Sequence, residues 1–203
     1  MSKLVLIERR LIGLLGFSIP ILSFVCALFV KDKPDYWFHS ISLTYYVGPM
    51  FPILLCLASF VMMIYKTSHL KDKIINFFGG FFGVCTSIFP CYNPYGIEKV
   101  GVFQLPNTVS DTIHSFCAIA MFFFLTFNIA FLFTKGKSKF KNIVYMICAF
   151  VMGISIILYL IYNIVMGFPR TNKDFSVYVI ESFLIFGFSF AWLVKGKLFF
   201  PTR

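Results

Sequence analysis

Charge is scarce in this chain. Only 13% of its 203 residues are charged and just 8 are acidic, against roughly a quarter charged in a soluble domain. With hydrophobic residues at 59% and a mean hydropathy of +0.87, a soluble fold is excluded, because a chain of this size could not hide so much apolar surface. C-x-x-C pairs are also missing. The cysteines Cys26, Cys56, Cys85, Cys91, Cys117 and Cys148 lie mostly inside apolar runs, which leaves a disulfide framework or zinc ribbon little support and reads as buried thiols, with Cys91 alone near a span end. No H-E-x-x-H, H-x-x-x-H or G-x-S-x-G spacing occurs, so the motifs of zinc peptidases and α/β-hydrolases are absent. There is no internal repeat, no low-complexity tract, and no connection long enough to fold as a separate soluble domain.

What is abundant is phenylalanine, at 29 residues. The apolar runs between charged positions reach roughly 20 residues, the length that hydrocarbon about 30 Å thick demands of a helix. They predict an all-α integral membrane protein, a single transmembrane domain over 1–203 with six helices at approximately 11–30, 43–65, 75–92, 112–134, 143–167 and 177–194. The first run follows Glu8-Arg9-Arg10 and precedes no small-residue cleavage site, so it is expected to be a retained helix and not a signal peptide.

The +10 formal charge raises nucleic-acid binding, but the placement of the basic residues argues against it. On one side of the six spans fall Lys3, Arg9, Arg10, Lys66, Lys71, Lys73, Lys135, Lys137, Lys139, Lys141, Lys195, Lys197 and Arg203. The other side carries only Lys31, Lys33, Lys99, Arg170 and Lys173. Basic residues in short loops mark the cytoplasmic face, so both termini are expected in the cytoplasm of a multi-pass cell-membrane protein. No nucleic-acid partner is expected; the partner is membrane lipid, whose anionic headgroups attract such loops.

Pro20 in the first span and Pro49 and Pro52 in the second predict bends, since each removes a backbone donor. Gly79, Gly80 and Gly83 in the short third span predict a close helix–helix approach.

The polar side chains gather at one depth. Ser40, Ser42, Thr44, Tyr45 and Tyr46 lie near the outer end of the second span, and Thr86 and Ser87 near that of the third. Asp111, His114 and Ser115 open the fourth, Tyr159, Tyr162 and Asn163 close the fifth, and Tyr178, Glu181 and Ser182 open the sixth. A carboxylate inside a span is costly unless protonated, paired or wetted, so Glu181 is a functional-site residue by default. Asp111 and His114, three apart, share a helix face, and the carboxylate is expected to orient the imidazole. His114, Glu181 and Asp111 are the candidate catalytic residues. Ser40, Ser42, Tyr45, Tyr46, Tyr162 and Asn163 are candidate ligand contacts, although interfacial tyrosines also serve as plain anchors. The expected function is binding of a lipid or amphiphile in an outer-half pocket, with hydrolysis as an extension in which His114 is the base for Ser40 or Ser42. No cofactor is expected; a zinc ion held by His39, His114, Asp111 and Glu181 is the weak alternative. Two other classes stay open. One is an oligomeric pore or membrane-disrupting effector; the other is a membrane subunit that docks a partner protein through Trp192 and the basic C-terminal segment.

Several residues in order along the chain resemble a family of small bacterial multi-helix membrane proteins of uncharacterised function. They are Ser40-Ile41-Ser42 with Tyr45-Tyr46, Phe89-Pro90, His114, Leu132-Phe133-Thr134-Lys135, Asn142, Tyr145, Cys148, Glu181, Phe186-Gly187 and Trp192-Leu193-Val194-Lys195-Gly196. In that pattern the tyrosine pair stands one residue closer to the serines and an Arg-Asp pair follows, where this chain has Phe51-Pro52. The resemblance implies a bacterial inner-membrane protein and assigns no chemistry.

Overall fold

The computed structural model describes residues 3–31, 33, 37–166 and 174–200. Arg170, Lys173 and Arg203, which entered the charge asymmetry, lie outside the described residues, as does Gly167 at the expected end of the fifth span. Among the described residues the fold is all-helical apart from one two-residue antiparallel ladder, β1 (Lys99–Val100) with β2 (Leu105–Pro106). The helices are α1 (Lys3–Leu28), α2 (Met50–Ile64), α3 (Leu70–Ile88), α4 (Asn107–Phe127), α5 (Lys139–Met166) and α6 (Ser176–Lys195). Beyond Phe127, α4 continues as a π turn (Asn128–Leu132) and a 3₁₀ turn (Phe133–Lys135). Four of these are long and apolar enough to cross a membrane: α1, α4 with its extension, α5 and α6. Their outward faces are phenylalanine and aliphatic, with Phe116 66% and Phe150 69% exposed. Surface of that kind needs an apolar solvent.

The second span differs most from expectation. Residues Ser42–Tyr46 form a 3₁₀ turn, and the α-helix begins only at Met50. Pro49 is its N-cap and Pro52 falls in its first turn, where a missing N–H costs nothing. The two prolines therefore start the helix and do not bend it. Helix α1 begins eight residues early because Glu8, Arg9 and Arg10 are used inside it. Glu8 accepts the Lys66 N–H at 3.2 Å, Arg9 donates to the Tyr65 hydroxyl at 2.7 Å, and Arg10 donates to the Gly196 carbonyl at 2.8 Å. These bonds bring the start of α1, the end of α2 and the end of α6 to one face. Trp192 is fully buried there among Tyr65, Phe133 and Phe188, so it offers no docking surface to a partner.

Helix packing follows chain order. Helix α1 lies between α2 and α6, α3 between α2 and α4, and α5 against α6; α4 and α5 make the sparsest contact of any consecutive pair, and the extension of α4 supplies much of it. Small residues set the closest approaches. A Cβ on Gly80 would stand 2.5 Å from the Ser59 carbonyl oxygen, and one on Gly83 would overlap the Ser59 hydroxyl. On α1, Gly16 sits against Ser189 of α6 in the same way. Between α3 and α4 the amide of Asn128 donates to Asn76 Oδ1 at 2.7 Å, and Asn76 donates to the Asp72 carbonyl at 2.7 Å. The isolated inner-half Asn128 is thus one half of an interhelical amide pair.

Candidate functional site

At the end of the bundle away from the termini, residues 37–46 turn inward. His39 and Ile41 are almost wholly buried, as are Ser40 and Thr44. Non-helical backbone at such depth must satisfy its polar groups within the protein, and α6 and the segment's own side chains supply bonds to it. Helix α6 reaches it twice: the Tyr178 N–H donates to the His39 carbonyl at 2.9 Å, and Glu181 Oε2 accepts the Ile41 N–H at 2.6 Å. Ser40 Oγ accepts the Leu43 N–H at 3.1 Å and Thr44 Oγ1 donates to the Ile41 carbonyl at 2.6 Å, which closes the 3₁₀ turn.

Ser42 follows this pinned stretch and faces His114 of α4. Its Oγ lies 3.2 Å from His114 Nε2. The other ring nitrogen, Nδ1, stands 2.7 Å from the Phe89 carbonyl and 3.1 Å from that of Thr86. Carbonyls only accept, so Nδ1 carries the hydrogen and Nε2 of the neutral ring is the acceptor for the Ser42 hydroxyl. Phe89 lies just past the end of α3, and the sequence supplies the reason the Thr86 carbonyl is free. An α-helical Thr86 carbonyl bonds the N–H of residue 90, and residue 90 is Pro90, which has none.

Behind the pair lies a cavity of about 80 Å³ lined by all six helices. On this measure a single water needs about 10–15 Å³, so there is room for several waters or a narrow stretch of acyl chain. Its polar edge is Ser42, Thr86, His114, Tyr159 and Glu181; most of its wall is apolar, including Ile19, Leu55, Ala58, Ala118, Met121, Phe122 and Phe188. Ser59 lies deeper along it. Ala118, Ile119 and Phe122 of α4 and Ile156 and Tyr159 of α5 border it on either side of the loosely packed seam between those helices.

Of the sequence candidates, Ser42, His114 and Glu181 meet at this cavity. Asp111 does something else: its Oδ1 accepts the Tyr92 N–H at 2.8 Å. Together with Asn107 bonded to Asn93 and Ser110 bonded to the Pro90 carbonyl, it holds the 90–93 stretch against the first turns of α4. The Phe89 and Thr86 carbonyls, not the Asp111 carboxylate, engage the imidazole at Nδ1. Tyr46 donates to the Cys91 carbonyl at 2.5 Å with Tyr45 packed on its ring, Asn163 donates to the Tyr159 carbonyl of its own helix, and Ser40 is taken up by the Leu43 N–H. Tyr162 belongs to a second cluster. Its hydroxyl donates to Asp174 Oδ2 at 2.8 Å, while Asp174 Oδ1 is 3.3 Å from His39 Nδ1. Asp174 and the carbonyls of Thr86 and Phe89 were missed in the sequence; only Phe89-Pro90 signalled the latter. Among the described residues, no three His, Cys, Asp or Glu side chains gather as a metal site. His39, Asp111 and Glu181 are engaged with Asp174, Tyr92 and Ile41 respectively.

No protein-family model, no curated protein and no solved structure matches this chain.

Proposed function

We propose that this is a six-span membrane protein, both termini in the cytoplasm, that binds the apolar chain of a lipid or other amphiphile in the central cavity and its polar group at Ser42, His114 and Glu181. The observation that carries the reading is a cavity with an almost wholly apolar wall and a polar edge concentrated at the end opposite the termini. Binding sites for amphiphiles need that division, since the apolar wall supplies affinity and a few polar groups fix orientation. Helices α2 and α3, shorter or more polar than the other four, complete the bundle and cross with them. The basic corner at Lys66, Lys71 and Lys73 lies at the same end as the start of α1, in accord with a cytoplasmic face. Entry is from the outer leaflet through the seam between α4 and α5, which the α4 extension closes only at the cytoplasmic end.

Native mass spectrometry of the detergent-purified protein tests the reading. The wild type retains a lipid adduct, and Ala118→Phe, which carries a ring into the cavity, loses it while melting at an unchanged or higher temperature. Equal retention by a folded Ala118→Phe protein would refute the site.

A further inference from the structure

Several serine hydroxyls in this fold turn back on their own helix. Ser18 donates to the Leu14 carbonyl, Ser182 to Tyr178 and Ser189 to Ile185, each four residues back, the usual resting place for a serine in an apolar helix. Ser42 differs: its hydroxyl meets an imidazole nitrogen on another helix, 72 residues away, and it does so at the wall of a cavity.

The state of that imidazole matters as much as the contact. With Nδ1–H committed to the Phe89 and Thr86 carbonyls, the lone pair of Nε2 points at the hydroxyl. These carbonyls close the C-terminal end of α3, where the helix carries partial negative charge that stabilises a nearby cation. In a serine–histidine–carboxylate triad the acid fixes the tautomer and stabilises the imidazolium formed when serine gives up its proton. Here the freed carbonyls at the end of α3 stand in that place.

We propose that Ser42 is a nucleophile, with His114 as its general base, and that the substrate is a carboxylic ester of an amphiphile seated in the cavity. The proposal rests on the binding reading above. Ser42 Oγ attacks the ester carbonyl carbon while its proton passes to His114 Nε2. The bond from that carbon to the alcohol oxygen then breaks, the departing alcohol takes the proton from Nε2, and an acyl ester remains on Ser42. Water attacks the same carbon, giving a proton to Nε2; the serine oxygen leaves and recovers it. One ester and one water become one acid and one alcohol. A separation of 3.2 Å suits an empty site, where catalytic hydrogen bonds are commonly longer than in the substrate complex.

The test is an alkyl fluorophosphonate, which phosphonylates activated serines, applied to the purified protein and mapped by peptide mass spectrometry. The expected result is a single adduct on Ser42, absent in Ser42→Ala and absent after heat denaturation. His114→Gln lowers the labelling rate by about 100-fold or more, the usual contribution of a general base. Because His114 also secures the end of α3, its melting temperature is followed alongside. The wild-type rate between about pH 5 and 9 gives a second reading, rising as a histidine loses its proton. No adduct on Ser42 of the folded protein, or a rate indifferent to pH, overturns the proposal. Lipid retained without a Ser42 adduct leaves the binding reading standing and removes catalysis alone; absence of retained lipid in the wild type removes the binding reading itself.

Discussion

Substituting alanine at two glycines of α3 probes the close packing that shapes the cavity. A Cβ at position 80 would lie 2.5 Å from the Ser59 carbonyl oxygen and 3.1 Å from the Met63 backbone nitrogen. These two obstacles are backbone, while Met63 Cγ at 2.7 Å belongs to a flexible side chain, and non-bonded carbon contacts lie at about 3.5–4.0 Å. Helices α2 and α3 must therefore part by about 1 Å at this point. Overpacking of that kind costs about 1–3 kcal/mol, and for a chain of this length each kcal/mol lowers the melting temperature by about 2–4 °C. Gly80→Ala is thus expected to melt about 2–12 °C below wild type in detergent. Gly83→Ala meets chiefly the Ser59 side chain, so its loss is expected to be largely recovered by adding Ser59→Ala, whereas the same addition leaves Gly80→Ala unrescued. Gly153→Ala on α5, with nothing within 4 Å of its new Cβ, is the control and gains up to about 1 kcal/mol from helix propensity. The assay is thermal denaturation followed by size exclusion in one detergent. A Gly80→Ala protein melting with the wild type, or rescued by Ser59→Ala as fully as Gly83→Ala, would refute the argument.

Other outcomes follow from single contacts. Asn128→Leu breaks the amide bond to Asn76 and is expected to destabilise the bundle by about 0.5–2 kcal/mol, the range for interhelical hydrogen bonds in bilayers; an unchanged melting temperature would contradict it. Tyr178→Phe removes the 2.6 Å bond to the Pro20 carbonyl and lowers stability by about 0.5–1.5 kcal/mol, read in the same assay. For topology, an impermeant maleimide applied to intact cells modifies Lys99→Cys but reaches Lys137→Cys only after permeabilisation; the reverse pattern would invert the orientation.

The all-helical class was legible because apolar runs of bilayer length are a property of local composition, readable without knowing any neighbour. Helix ends were read less well. Glu8, Arg9 and Arg10 look like flanking charge, yet they lie within α1 because Lys66, Tyr65 and Gly196 wait for them on other segments. Residues 43–49 looked like helix because they open an uncharged run that reaches Tyr65, while the bonds that hold a 3₁₀ turn at Ser42–Tyr46 come partly from α6.

The candidate site shows the same division. Sequence by itself determined that polar groups would collect toward one end of an apolar bundle, and it singled out Ser42, His114 and Glu181 among several others. It also held the Pro90 that strips Thr86 of its helical partner. Only the tertiary structure decided that His114 turns to the Phe89 and Thr86 carbonyls while Asp111 is drawn off to the Tyr92 N–H. Spacing places Asp111 and His114 on one face, but hydrogen bonding to α3 and its following loop decides where each side chain goes. The meeting of Ser42 with His114 is likewise a property of docking, since it joins residues 72 apart through a turn that exists only when Glu181 and the Tyr178 N–H hold it.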